Sequence, residues 1–106
     1  MYTIANRLKL DGILRNILGT DNVYFQPPEN KKLSYPCIIY SLNPNKNTYA
    51  DNKKYIKFEC YKIIYIDRAP NSTIPDEIEE LPMCELETPP YVYDGLNHWV
   101  FKIYIP

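Results

Sequence analysis

The chain has 106 residues with a net charge of −1, and 45% of them are hydrophobic. That suits one folded domain, argues against intrinsic disorder, and gives the whole molecule no general attraction for nucleic acid. Three cysteines, Cys37, Cys60 and Cys84, are an odd number at wide spacing, so the sequence contains no disulfide framework, and its apolar runs are too short to span a membrane.

Residues 3–18 read as an amphipathic helix. Ile4, Leu8, Leu10, Ile13, Leu14, Ile17 and Leu18 recur at helical spacing, with Arg7, Lys9, Asp11, Arg15 and Asn16 between them. Thr3 is the expected N-cap, and Gly19 is the expected residue just past the end. Gly12 lowers the helix propensity, and a close helix–sheet contact would explain its presence. Residues 22–26 form a short expected strand, ended by Pro27-Pro28, which cannot donate to a ladder. Pro36 opens a second strand, Cys37 to Leu42, whose near-continuous apolar start implies burial on both faces.

Residues 43–52 are loop by composition and join this strand to a long third one, which makes the pair an antiparallel hairpin. The third strand, Lys54 to Asp67, alternates with one exception. Ile56, Phe58, Cys60, Ile64 and Ile66 fall on one side, with Lys62 the polar exception; Tyr55, Lys57, Glu59, Tyr61, Ile63 and Tyr65 fall on the other. The tyrosine-rich side is too apolar for plain solvent exposure, so it should lie under a helix or against another chain. A strand of this length should bend at a bulge or project beyond its sheet.

A short helix follows, capped by Thr73, with Pro75 in its first turn, Ile74, Ile78 and Leu81 facing inward, and Pro82 at its end. A fourth strand begins at Met83, is interrupted by Pro89-Pro90, and resumes at Tyr91-Val92-Tyr93. Asp94-Gly95 signals a hairpin into the last strand, Leu96 to Ile105. The fold class is therefore α+β, a single mostly antiparallel sheet of about five strands in the order α-β-β-β-α-β-β, with helices packed on it.

Charge is divided unevenly along the chain. Residues 1–68 hold eleven of the twelve Lys and Arg; residues 69–101 hold none, but carry Asp76, Glu77, Glu79, Glu80, Glu85, Glu87 and Asp94. A basic part and an acidic part in one chain permit head-to-tail association of identical copies. The sequence presents no catalytic, cofactor-binding or metal-binding set. His98 is the single histidine, no cysteines stand at ligand spacing, and no phosphate-binding loop or nucleophile elbow is present. Candidate assembly residues are instead Lys46, Tyr49, Asp51, Asn52 and Lys53 in the hairpin tip, and Asp76, Glu77 and Glu80 on the acidic helix.

Five stretches occur in a recognisable order: Ser34-Tyr35-Pro36-Cys37-Ile38-Ile39-Tyr40, Thr48-Tyr49-Ala50-Asp51-Asn52, Tyr65-Ile66-Asp67-Arg68, Pro75-Asp76-Glu77-Ile78 and Asp94-Gly95-Leu96-Asn97-His98. In these the chain resembles the small tail terminator (tail-completion) proteins of long-tailed bacteriophages and prophages. The resemblance covers residues 34–104. It implies a virion protein, made in the bacterial host cytoplasm, that assembles as a hexameric ring. Such a ring caps the tail tube, ends its polymerisation and offers a surface to head-completion proteins of the neck. DNA passes through as cargo, and no cofactor or membrane is involved. The alternatives are another head–tail connector, a small metal-binding or enzymatic domain using His98 and a cysteine, and a nucleic-acid-binding module using the basic hairpin.

Overall fold

The computed structural model of the protein describes residues 4–43, 48–49 and 57–105. In chain order the elements are α1 (Ile4–Leu18), β1 (Val23–Phe25), β2 (Cys37–Leu42), β3 (Thr48–Tyr49), β4 (Lys57–Asp67), α2 (Ile74–Glu79), β5 (Cys84–Leu86), β6 (Tyr91–Tyr93) and β7 (Leu96–Ile105). The main sheet runs β1-β2-β4-β7-β5, and β6 pairs with β7 beyond β5. Every pairing is antiparallel except that of β1 with β2. The α+β class and the mostly antiparallel sheet follow the sequence reading. The expected fourth strand is two strands, β5 and β6, separated by the proline pair, and β3 is a strand where composition suggested only loop.

β4 is the central strand. It pairs with β2 from Cys37↔Ile66 to Leu42↔Tyr61 on one side, and with β7 from Glu59↔Ile105 to Asp67↔Asn97 on the other. Cross-strand partners share a face. One face therefore carries the rows Ile38–Tyr65–Trp99, Tyr40–Ile63–Phe101 and Leu42–Tyr61–Ile103. These join Leu10 and Leu14 of α1 and Ile78 of α2 in one buried core. The tyrosine-rich side of β4 is thus the helix-covered side. No described helix joins the opposite face, which holds Ile39, Ile64 and Val100 in one row and Cys37, Ile66 and His98 in another.

α1 docks by burying Leu10 and Leu14 completely, while Leu8, expected on the apolar face, is 57% exposed. A polar clamp adds direction. Tyr40 donates a hydrogen bond from its hydroxyl to Asp11 Oδ2, and Arg15 Nε donates to Asp11 Oδ1. Burial alone would raise the Asp11 carboxyl, but the hydrogen bonds from Tyr40 and Arg15 and the charge of Arg15 outweigh it and hold the group below its usual range. Gly19, at φ +79°, closes the helix, its amide donating to the Arg15 carbonyl at 2.8 Å. The close contact expected at Gly12 is not found, because a Cβ there would meet nothing within 4 Å.

α2 starts differently from the sequence expectation. Thr73 occupies the N-cap position but makes no side-chain cap bond. Ser72 Oγ instead accepts from the Ile74 amide at 3.2 Å and also hydrogen-bonds the Tyr65 hydroxyl at 3.0 Å. The residue before the expected cap thus ties the start of α2 to the central strand. Asp94 and Gly95, at φ +53° and +73°, form the tight turn between β6 and β7.

Two predictions follow from this packing. Gly12→Ala should stabilise the protein by up to about 1 kcal/mol in urea denaturation, since helix propensity improves and nothing is displaced. Tyr40→Phe should cost about 1–3 kcal/mol at neutral pH, the worth of a hydrogen bond to a charged group. Because the folded-state pKa of Asp11 is depressed, its stabilisation is present above the unfolded-state pKa and is lost as pH falls through the folded-state value. The Tyr40→Phe penalty should therefore shrink in acid-side denaturation curves.

Candidate assembly surface

The candidate residues from the sequence divide between two regions. Asp76, Glu77 and Glu80 are exposed on and just after α2, with Glu79 exposed beside them. The helix packs against α1, β5 and β7, so it presents its carboxylates on the helical side of the sheet. Tyr49 lies in β3, and its backbone is in register with Lys57 at the start of β4. Lys46, Asp51, Asn52 and Lys53 lie outside the described residues. β3 pairs with β4 and not with α2, so no described contact brings the two groups into one patch. The β3 pairing does place Lys57 and Phe58 beyond the last β4–β7 partner, Glu59↔Ile105. The start of β4 therefore extends past β7 while staying paired with β3.

The two outer edges of the main sheet differ in character. At one edge, two cations rest on the rings of β1, and a third, Arg15, is paired with Asp11 and Asp21. The Arg7 guanidinium lies 4.6 Å from the Phe25 centroid, and Lys31 Nζ lies 5.5 Å from that of Tyr24. Arg15 Nη2 reaches the Val23 carbonyl at 3.4 Å. At the other edge, β5 and β6 flank β7 within the acidic stretch of the chain. Glu85, Glu87 and Asp94 are on or next to these strands, and Glu85 is 3.0 Å from Lys102 Nζ.

Large apolar side chains are exposed at this acidic edge. Tyr91 is 46%, Val92 67% and Tyr93 71% exposed along β6, with Val92 on one face and the two tyrosines forming an apolar patch on the other. Its inner side is anchored by His98, whose ring stacks on Tyr91 at 4.9 Å and meets Tyr93 edge-on at 6.4 Å. His98 Nδ1 lies 2.9 Å from the Leu96 carbonyl, which satisfies one ring nitrogen within the strand. Sequence reasoning placed β6 correctly but did not single it out. The signal was the Pro89-Pro90 pair, since prolines in a sheet are confined to edges.

A second apolar feature lies on the helical side. Lys9, Ile13, Leu81, Met83 and Tyr104 line a groove of about 270 Å³ between α1, the end of α2 and β7.

The thiols do not converge on one another or on the histidine. Cys37 and Cys60 lie on the face without helices, whereas Cys84 pairs with Ile103 on the helical face. Cys37 and His98 are both in register with Ile66, two strand spacings or about 10 Å apart. Burial pushes the Cys37 thiol up to about 11 and, with nearby Glu79 and Glu85, the Cys84 thiol up to about 12. Comparisons of the chain with protein-family models, with curated proteins and with solved structures find no match.

Neither Cys37 nor Cys84 should react appreciably with a thiol reagent at neutral pH while the protein is folded, because the thiolate is the reacting form. Both should label at ordinary rates in denaturant. Fast labelling of either in the native state, followed by mass spectrometry, would contradict this arrangement.

Proposed function

We propose that the protein is a structural assembly component of a phage tail, a tail terminator that caps the tail tube as an oligomeric ring, stops its growth and receives the head-completion protein. The observation that carries this reading is the pair of unlike sheet edges, one basic and aromatic at β1, the other acidic with exposed Tyr91, Val92 and Tyr93 at β6. Identical copies with complementary, non-equivalent surfaces add head to tail, and such an arrangement generates either rings or filaments. The resemblance over residues 34–104 supports the choice of family. The start of β4 beyond β7, with β3 paired to it, supports a role for this end in reaching a neighbour or the tube. The acidic residues of α2 suit either a contact with basic groups of a neighbour or a lumen through which DNA slides without adhering.

Mixed with purified tail tubes, the protein should appear in negative-stain micrographs as a cap or ring at one tube end, and it should limit tube length when present during polymerisation. Bare tubes together with binding to the portal side would replace this reading with that of a connector. Tight, salt-sensitive binding to DNA would replace it with a nucleic-acid-binding module.

A further inference from the structure

We infer that β6 is a self-association strand: its free edge pairs with the β1 edge of a second copy of this chain, extending the sheet from one subunit into the next. This supplies the contact for the assembly reading above, and it rests on that reading only for the closure of the chain of subunits into a ring.

The backbone of β6 is arranged for such a contact. Asp94 and Gly95 form a two-residue hairpin loop, so Tyr93 and Leu96, which flank it, are the hydrogen-bonded closing pair. Alternation along an antiparallel ladder then makes Val92↔Asn97 a non-hydrogen-bonded pair. The N–H and C=O of Val92 therefore point away from β7, and among the described strands none pairs with β6 on that side. An exposed strand edge bearing apolar side chains is a template for another strand. Solitary edges are protected by charge, proline, bulges or short length; β6 is short and follows Pro89-Pro90, but its own residues are the uncharged Tyr-Val-Tyr. Pro89-Pro90 confines the pairing to a short segment.

Charge selects the second copy's β1 as the occupant. Glu87 and Asp94 bracket β6; Lys102 on β7 is ion-paired with Glu85 and lies near Glu87, and no other Lys or Arg occurs in residues 69–105 to offset these carboxylates. Lys31 and Arg7 stand over the rings of Tyr24 and Phe25 on β1, at the far side of the sheet. β1 is also three residues long, the same as β6. Its Ile38-to-Asn22 and Gln26-to-Tyr40 backbone bonds commit Asn22 and Gln26 to β2, and alternation turns the N–H and C=O of Phe25 outward. Pairing β6 with β6 of a second copy would bring two acidic edges together, while pairing it with β1 joins unlike charges.

Sedimentation velocity over a range of concentrations tests this with three variants. Val92→Pro removes the outward donor and leaves the β6–β7 ladder intact, so its circular dichroism and melting should match the parent. Parent protein should form species larger than a dimer as concentration rises, and Val92→Pro should remain monomeric. Glu87→Lys and Lys31→Glu should each weaken association about tenfold, and the chain carrying both should recover it. Unchanged association of Val92→Pro overturns the inference. So does parent protein that stops at a dimer, or that stays monomeric to about 1 mM. Absence of rescue in the double variant overturns the choice of β1. Tube capping, read separately by microscopy, reports on the function: capping by Val92→Pro would sink this contact and leave the terminator reading standing.

Discussion

The two-sided pairing of β4 is the constraint on which the rest of the molecule depends. β2 and β7 lie on its two sides in fixed register, and that register decides which side chains are covered. With Ile38 opposite Tyr65 and Trp99 opposite the same residue, the rings and branched chains of three strands meet one pair of helices. A slip of one residue would turn Tyr61, Ile63 and Tyr65 away from α1 and α2 and present Lys62 to the core. Three large tyrosines in a core also need partners for their hydroxyls. Tyr65 bonds Asp67 within β4, while its bond with Ser72 and that of Tyr40 to Asp11 tie the start of α2 and the middle of α1 to the sheet.

These bonds explain how the two helices are oriented on the sheet. Leucine and isoleucine burial draws α1 inward without fixing its rotation or translation. Asp11 supplies that specification, because one carboxylate is held between a sheet hydroxyl and an arginine one helical turn later. At α2 the equivalent constraint comes from Ser72 and Tyr65, and the first turn carries Asp76 and Glu77 where a helix favours negative charge.

Most of this organisation was legible in the sequence because it rests on local signals. The alternation through residues 57–67, the Asp94-Gly95 turn, Gly19 and the proline stops mark their elements directly. The alternation did not by itself say which of two apolar sides of β4 the helices would cover; that depends on partner strands distant in sequence. Cap assignment at α2 failed for a similar reason: Thr73 satisfies the local pattern, but Tyr65 draws Ser72 into the capping role through a tertiary bond. The exposed residues Tyr91, Val92 and Tyr93 read as ordinary strand because sequence alternation does not distinguish an edge from an interior strand. The acidic candidates Asp76, Glu77 and Glu80 were placed on an exposed helix as their composition implied. Of the hairpin candidates, only the backbone of Tyr49 is described, within β3.

The placement of β7 bears on the order in which the chain folds. The tight Asp94-Gly95 turn lets β6 and β7 form as a local hairpin, a fast event. Docking β7 on β4 instead joins residues separated by 30 positions at Asp67↔Asn97 (97 − 67) and 46 at Glu59↔Ile105 (105 − 59), which requires closing long loops first. On this topology the hairpin precedes the complete sheet. Until it docks, β7 has one unsatisfied edge and β6 another, so the hairpin can recruit a strand on either side. The interval before β4 and β7 meet is therefore the period of greatest exposure to misassembly, and the rate of that single closure sets its duration.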